Sequence, residues 1–199
     1  MVDLKKIINL FFEAGVLTRI KRSGDIRVGN PNPPSVSDHA YRAMLVGYIL
    51  AKLESVDDSK VLKMLLFRYL PEARIKNLDR IANRYLDVRK AENTAFGEQV
   101  SNLPEGCKDE LLALKEERVD KKTKEAIVAY DASCLTDALE AKEATEKGTN
   151  MENWINNDEK ALKTASAKKL MTLLKSMNSN DWWQGLEYIE SINKGEKRF

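Results

Sequence analysis

Phe67-Arg68-Tyr69-Leu70-Pro71-Glu72-Ala73-Arg74, taken with Ser37-Asp38-His39-Ala40-Tyr41-Arg42 upstream, decides how this chain is read. Apolar residues at three- and four-residue steps (Val61, Met64, Leu65) run into the later segment, which therefore closes a helix. Pro71 lacks an N–H and clashes with the preceding turn, so the chain is expected to turn close to Glu72. Arg68 stands four residues before Glu72, on a neighbouring turn if helical geometry continues. His39 is the only histidine of the chain, which excludes a multi-histidine centre within one copy.

Outward from these segments the pattern is helical and strand signals are nearly absent. Leu4, Ile7, Ile8, Phe11 and Phe12 predict an amphipathic helix ending near Gly15. Arg19 to Pro34, with two glycines and three prolines, predicts the longest irregular segment. Ser37 is a candidate N-cap for a helix whose apolar stripe is Ala40, Met44, Leu45, Tyr48, Ile49 and Leu53. Asp57 or Asp58 opens the next helix. Residues 77–100 read as another, with Leu78, Ile81, Tyr85 and Val88 on one face. Leu111, Leu112 and Leu114 mark a further helix, and Lys121 to Lys147 one long segment closed by Gly148. Trp182-Trp183, beside Leu186 and Ile189, is expected to anchor the last helix on the core. The reading is a single all-α, multi-helix domain over residues 1–190 with a polar tail at 191–199.

Composition narrows the function classes. Lys and Arg number 33 against 31 Asp and Glu, for a net charge of +2. Such a balance gives no footprint for nucleic acid or an anionic membrane. No apolar run reaches the roughly 20 residues of a membrane span, and Met1 to Lys6 lacks a signal-peptide core. Cys107 and Cys134 sit in no paired motif and are expected as free thiols, so a cytoplasmic location is expected. Lys121-Lys122-Thr123-Lys124 and Lys168-Lys169 read as solvated helix faces. Lys21-Arg22 with Arg27 is the basic cluster best placed to cradle a phosphate.

Five stretches in order carry a resemblance: Phe11 to Leu17, Val36 to Arg42, Arg68 to Arg74, Asp131 to Leu135, and Asp181-Trp182-Trp183-Gln184-Gly185-Leu186. Together they resemble the HD-domain phosphohydrolases, in the branch of 5'-deoxynucleotidases. The resemblance implies an HD-type helical domain, homodimers, and a divalent cation held by two His and two Asp. Such a cation polarises a phosphoryl oxygen and supplies hydroxide near neutral pH.

Position by position, the resemblance leaves one ligand. His39 matches the first. Arg68 matches the second His and has no lone pair to offer. Tyr69 matches an Asp, and a phenol is a poor ligand for manganese, cobalt or zinc. Ser133 matches the last Asp. Asp131 is expected to point away, and Asp137, one turn on, to reach the site only with local rearrangement. The family's catalytic acid matches Glu72, its early Arg matches Arg22 and a later Asp matches Asn77. Asp25 stands where the family often has a Trp, so no aromatic face for a nucleoside is expected. The Arg68 guanidinium is expected to fill the old metal pocket and pair with Glu72, and lone His39 to be a hydrogen-bonded structural residue.

These residues predict an inactive relative, with no metal cofactor and Glu72 as a vestigial catalytic acid. It would bind a nucleotide-like anion through Arg22, His39, Arg68 and Asn77, or a protein partner. Two alternatives stay open: an active hydrolase of nucleoside 5'-monophosphates using manganese, cobalt or zinc, and a purely structural dimeric interaction protein.

Overall fold

Capping chemistry and small residues, more than amphipathic stripes, place the elements in this computed structural model, which describes residues 3–184 and Leu186. Ten of its helices are α1 (Leu4–Ala14), α2 (Ser23–Arg27), α3 (Val36–Glu54), α4 (Asp58–Leu66), α5 (Glu72–Ile75), α6 (Val88–Val100), α7 (Cys107–Asp120), α8 (Lys124–Glu146), α9 (Glu152–Ala161) and α10 (Ala165–Ser176). The last is α11 (Asp181–Gln184), and 3-10 turns span Gly15–Arg19 and Ala82–Arg84. Among the described residues there is no strand, only one bridge between Lys21 and Ser35. The fold is all-α, and none of these helices is long and apolar enough to cross a membrane.

The buried axis is α8, packed against α3, α4, α7, α9 and α10. It carries small residues inward (Ala126, Ala129, Ala132, Ala138, Ala141), which lets its neighbours approach closely. Asp131 is fully buried and accepts from the Lys163 and Thr164 N–H groups, at 3.0 and 2.7 Å, and from Thr164 Oγ at 2.7 Å. Those N–H groups lie at the start of α10 and have no helical partner, so Asp131 ties α10 to α8.

The inward face of α3 differs from the expected stripe. Val36, Ala40, Ala43, Gly47, Leu50 and Ala51 are buried, while Leu45, Tyr48, Ile49 and Leu53 are exposed. A Cβ at Gly47 would fall 2.2 Å from Leu65 Cδ1 and 3.5 Å from Ala132 Cβ, so closeness to α4 and α8 selects the small face. Other boundaries shift for local reasons. Ser35, not Ser37, caps α3 in a capping box with Asp38, at 3.1 and 2.8 Å. The segment from 19 to 34 is not wholly irregular, since it contains α2. Residues 77–87 do not join a helix with 88–100; Asp87 caps α6 instead, and Ile81 and Tyr85 are exposed. Asp57 caps α4 as expected, Thr123 starts α8, and Gly148 takes φ +97° just past its end. Both cysteines are free. Trp182 and Trp183 are mostly exposed rather than anchored on the core, on a single short turn, and Ile189 and residues 191–199 lie outside the described residues.

Candidate functional site

Two backbone bonds bring the site's entrance loop to α3: Arg22 N donates to Pro34 O at 3.0 Å, and Val36 N to Ile20 O at 2.8 Å. They close the segment between Arg19 and Pro34 at its base and aim Arg22 inward. Ile20, Val36, Ala40 and Tyr69 form a small apolar cluster beneath it. The capping box fixes the first turn of α3, and with it His39, whose side chain is 1% exposed.

His39 is bonded at both ring nitrogens. Nδ1 lies 3.0 Å from Glu140 Oε2, and Nε2 lies 2.7 Å from the Tyr69 hydroxyl. With Glu140 as carboxylate, a neutral ring satisfies both: Nδ1–H donates to Glu140 and Nε2 accepts from Tyr69. Burial, then the Arg22 charge, hold the imidazole down to about 3, so it stays neutral across the physiological range. Burial pushes Glu140 up to about 7 and raises Tyr69. The Arg68 guanidinium donates to Ser133 Oγ and lies 4.9 Å from the centre of the Tyr69 ring. His39, Arg68, Tyr69 and Ser133 are therefore gathered in one place.

They do not fit a divalent cation there. The Nε2 lone pair faces a hydroxyl, Ser133 accepts from a guanidinium, and no carboxylate stands at these four positions. A second donor group, His39 with Asp137 and Glu140, has ligand atoms within 4.8 Å of one another. Asp137 needs no rearrangement to arrive, since its Oδ1 is 3.8 Å from His39 Nδ1, but that oxygen already carries the Arg22 guanidinium. Burial opposes the Arg22 charge; Asp137, Tyr69, Glu140 and Glu72 outweigh it and hold its pKa above the usual range. The cation that neutralises this group is Arg22.

Two expectations are corrected. Arg68 does not pair with Glu72: its partner is Ser133. Glu72 accepts from Asn77 Nδ2 at 2.8 Å, while Asn77 Oδ1 accepts from Ser23 N and Oγ at 2.8 and 3.0 Å. Helix α4 ends before Arg68, so the four-residue step no longer stacks the two side chains. Second, an aromatic face is present. Trp154, from α9, lines the cavity, and its ring tip comes so close to Gly24 that a Cβ there would be 2.3 Å away.

The cavity has a volume of about 310 Å³ and lies between α2, the 77–83 loop, α8 and α9. Arg22, Arg68 and Asn77 line it, with Arg80, Trp154 and Asp158. His39 is not among its lining residues; it sits behind them. Of the basic cluster only Arg22 lines the cavity; Arg27 pairs with Asp79, and Lys21 is not among the lining residues. Burial and then Asp137 push Asp158 up to about 7, which weakens the cavity's negative charge near neutral pH, and burial raises Asp25 as well. Asp131 points away, as its spacing required. Glu140 and Trp154 were missed by sequence reasoning. Glu140 had a signal, because Ser133, Asp137 and Glu140 fall on one face of α8 at steps of four and three. Trp154 had none, because only the packing of α9 on α8 brings it beside Gly24.

A family model described as HD domain matches residues 14–177. The 5'-deoxynucleotidase HDDC2 of Dictyostelium discoideum is 29% identical over 162 residues, which cover 76% of this chain and 84% of that protein. A conserved hypothetical protein from Pyrococcus furiosus superposes with a TM-score of 0.72 at 29% identity, over 85% of this chain and 99% of the other. The PH0347 protein from Pyrococcus horikoshii superposes with a TM-score of 0.70 at 26% identity, over 85% and 96%.

Proposed function

We infer that this chain, which belongs to the HD domain family and resembles its 5'-deoxynucleotidases, is a catalytically silent member whose cavity binds a nucleotide-like anion. The observation that carries this is the Tyr69 hydroxyl, 2.7 Å from His39 Nε2. The imidazole lone pair a metal would need is engaged by a phenol, and Glu72 has no activated water to serve. What remains fits binding. Arg22, Arg68 and Arg80 offer N–H donors suited to phosphate oxygens, and Trp154 offers a flat apolar surface. The Dictyostelium relative is named a 5'-deoxynucleotidase, so a deoxynucleoside 5'-monophosphate is the first ligand to try.

The purified protein is expected to carry no stoichiometric manganese, cobalt or zinc by elemental analysis. Phosphate release from deoxynucleoside 5'-monophosphates should stay at background with each ion, while the same nucleotides raise the melting temperature. A ligand at a hundred times its dissociation constant adds about 2.7 kcal/mol, which a melting curve resolves. One equivalent of bound metal, or metal-dependent release that disappears in Glu72→Ala, would refute the reading in favour of the hydrolase.

The outward stripe of α3 supports a second, compatible role. Tyr41, Leu45, Tyr48, Ile49 and Leu53 together form an exposed apolar face, of the kind that marks an interface. We read it as the contact of a homodimer. Light scattering should give twice the chain mass, falling to one in Leu45→Lys/Ile49→Lys; a parent that runs as a monomer at high micromolar concentration excludes it.

A further inference from the structure

We propose a second binding site, for a compact inorganic anion, between Arg68, Lys115 and Arg118, on the side of Arg68 away from the main cavity. A small void lies there between α4, α6 and α7, walled by Met64, Phe67, Phe96, Leu111 and Leu114. Its volume is about 10 Å³, room for one water-sized body.

Three cations share this void. The ammonium of Lys115 is buried without a hydrogen-bond partner, 5.0 Å from the centre of the Phe96 ring. Arg118 forms no ion pair among the described residues. Arg68 spends one N–H on Ser133 and lines both this void and the main cavity. Lys63, at the rim, is already neutralised by Glu110 at 2.5 Å. One acid, Glu92 of α6, is felt by both Lys115 and Arg118 but stands too far off for an ion pair. Burial holds Lys115 down to about 8 and Arg118 down to about 10, each repelled by neighbouring cations as well.

Like charges walled by apolar side chains, with one remote counter-charge, are the surroundings in which an anion is favoured. The size admits a halide, or one oxygen of an oxyanion entering from the mouth. Either would neutralise the far side of Arg68, so occupancy here and in the main cavity must affect one another reciprocally.

The test is the melting temperature of the full chain at fixed ionic strength, as gluconate, too bulky to enter, is exchanged for chloride or, separately, for phosphate. A saturable rise of about 5 °C is expected with one of them. It should vanish in Lys115→Met, which keeps the stem against Phe96 and removes the unpartnered charge. In gluconate that variant should melt at or above the parent; if it does not fold, Arg118→Gln is read instead. A chloride response identifies a halide site, and a phosphate response an oxyanion site. A phosphate response that survives Lys115→Met belongs to the main cavity and overturns this proposal, while leaving the nucleotide reading intact. A parent that melts at the same temperature in gluconate, chloride and phosphate overturns it as well.

Discussion

Arg68→His, Tyr69→Asp and Ser133→Asp, made together, are expected to give a variant that manganese and cobalt stabilise. The basis is convergence: the Tyr69 hydroxyl is on His39 Nε2, and the Arg68 guanidinium is on Ser133 and against the Tyr69 ring. Ligands introduced at the three positions would therefore face the free lone pair of His39. Without metal the variant should be less stable than the parent. Two carboxylates would crowd a buried space and His39 would lose its hydroxyl partner, a loss of about 1–3 kcal/mol for an unsatisfied buried group. Metal at a hundred times its dissociation constant should return about 2.7 kcal/mol, or roughly 5–10 °C for a chain of this size. A melting curve of the triple variant that manganese leaves unchanged would mean that the four positions do not share one site.

Arg22→Met is expected to cost about 3 kcal/mol, at the lower end of the range for breaking a buried ion pair because both partners keep some exposure. Side-chain exposure is 14% for Arg22 and 26% for Asp137. The substitution keeps the length of the stem and strands Asp137 beside Glu140 and Asp158, two acids already pushed up to about 7. Asp137→Asn should cost less, because Arg22 retains Glu140 and Glu72 as nearby counter-charges. Urea unfolding of the two variants measures the difference. A parent-like midpoint for Arg22→Met would show that the guanidinium is solvated and that Asp137 is free to serve another cation.

The helical class was legible because periodicity, caps and breakers act over a few residues. Asp57 announced the start of α4 and Gly148 the end of α8. That Arg68 offers no lone pair was legible too, since an arginine cannot ligate wherever it lies. The reading of α3 held at Ala40 and failed at Leu45, Tyr48, Ile49 and Leu53 for a definite reason: a helix apolar on two sides has no single stripe, and the bulkier side lost to the side that allows close approach. The run 77–100 held over 88–100 and failed at its start, where the Asn77 amide is recruited by Ser23 and Glu72 and residues 77–87 form no α-helix.

By itself, the sequence determined that the chain is helical, that His39 is its one imidazole, and that positions 68, 69 and 133 carry neither imidazole nor carboxylate. Those properties are local or belong to side-chain identity. Only the tertiary structure decided which charges meet: Arg22 with Asp137, 115 residues apart, His39 with Glu140, 101 apart, and Arg68 with Ser133 rather than with Glu72. Pairing across such separations depends on how α2, α3 and α8 cross, and the packing of Gly47, Ala132 and their neighbours sets that crossing. Charge spacing along the chain carries no trace of it.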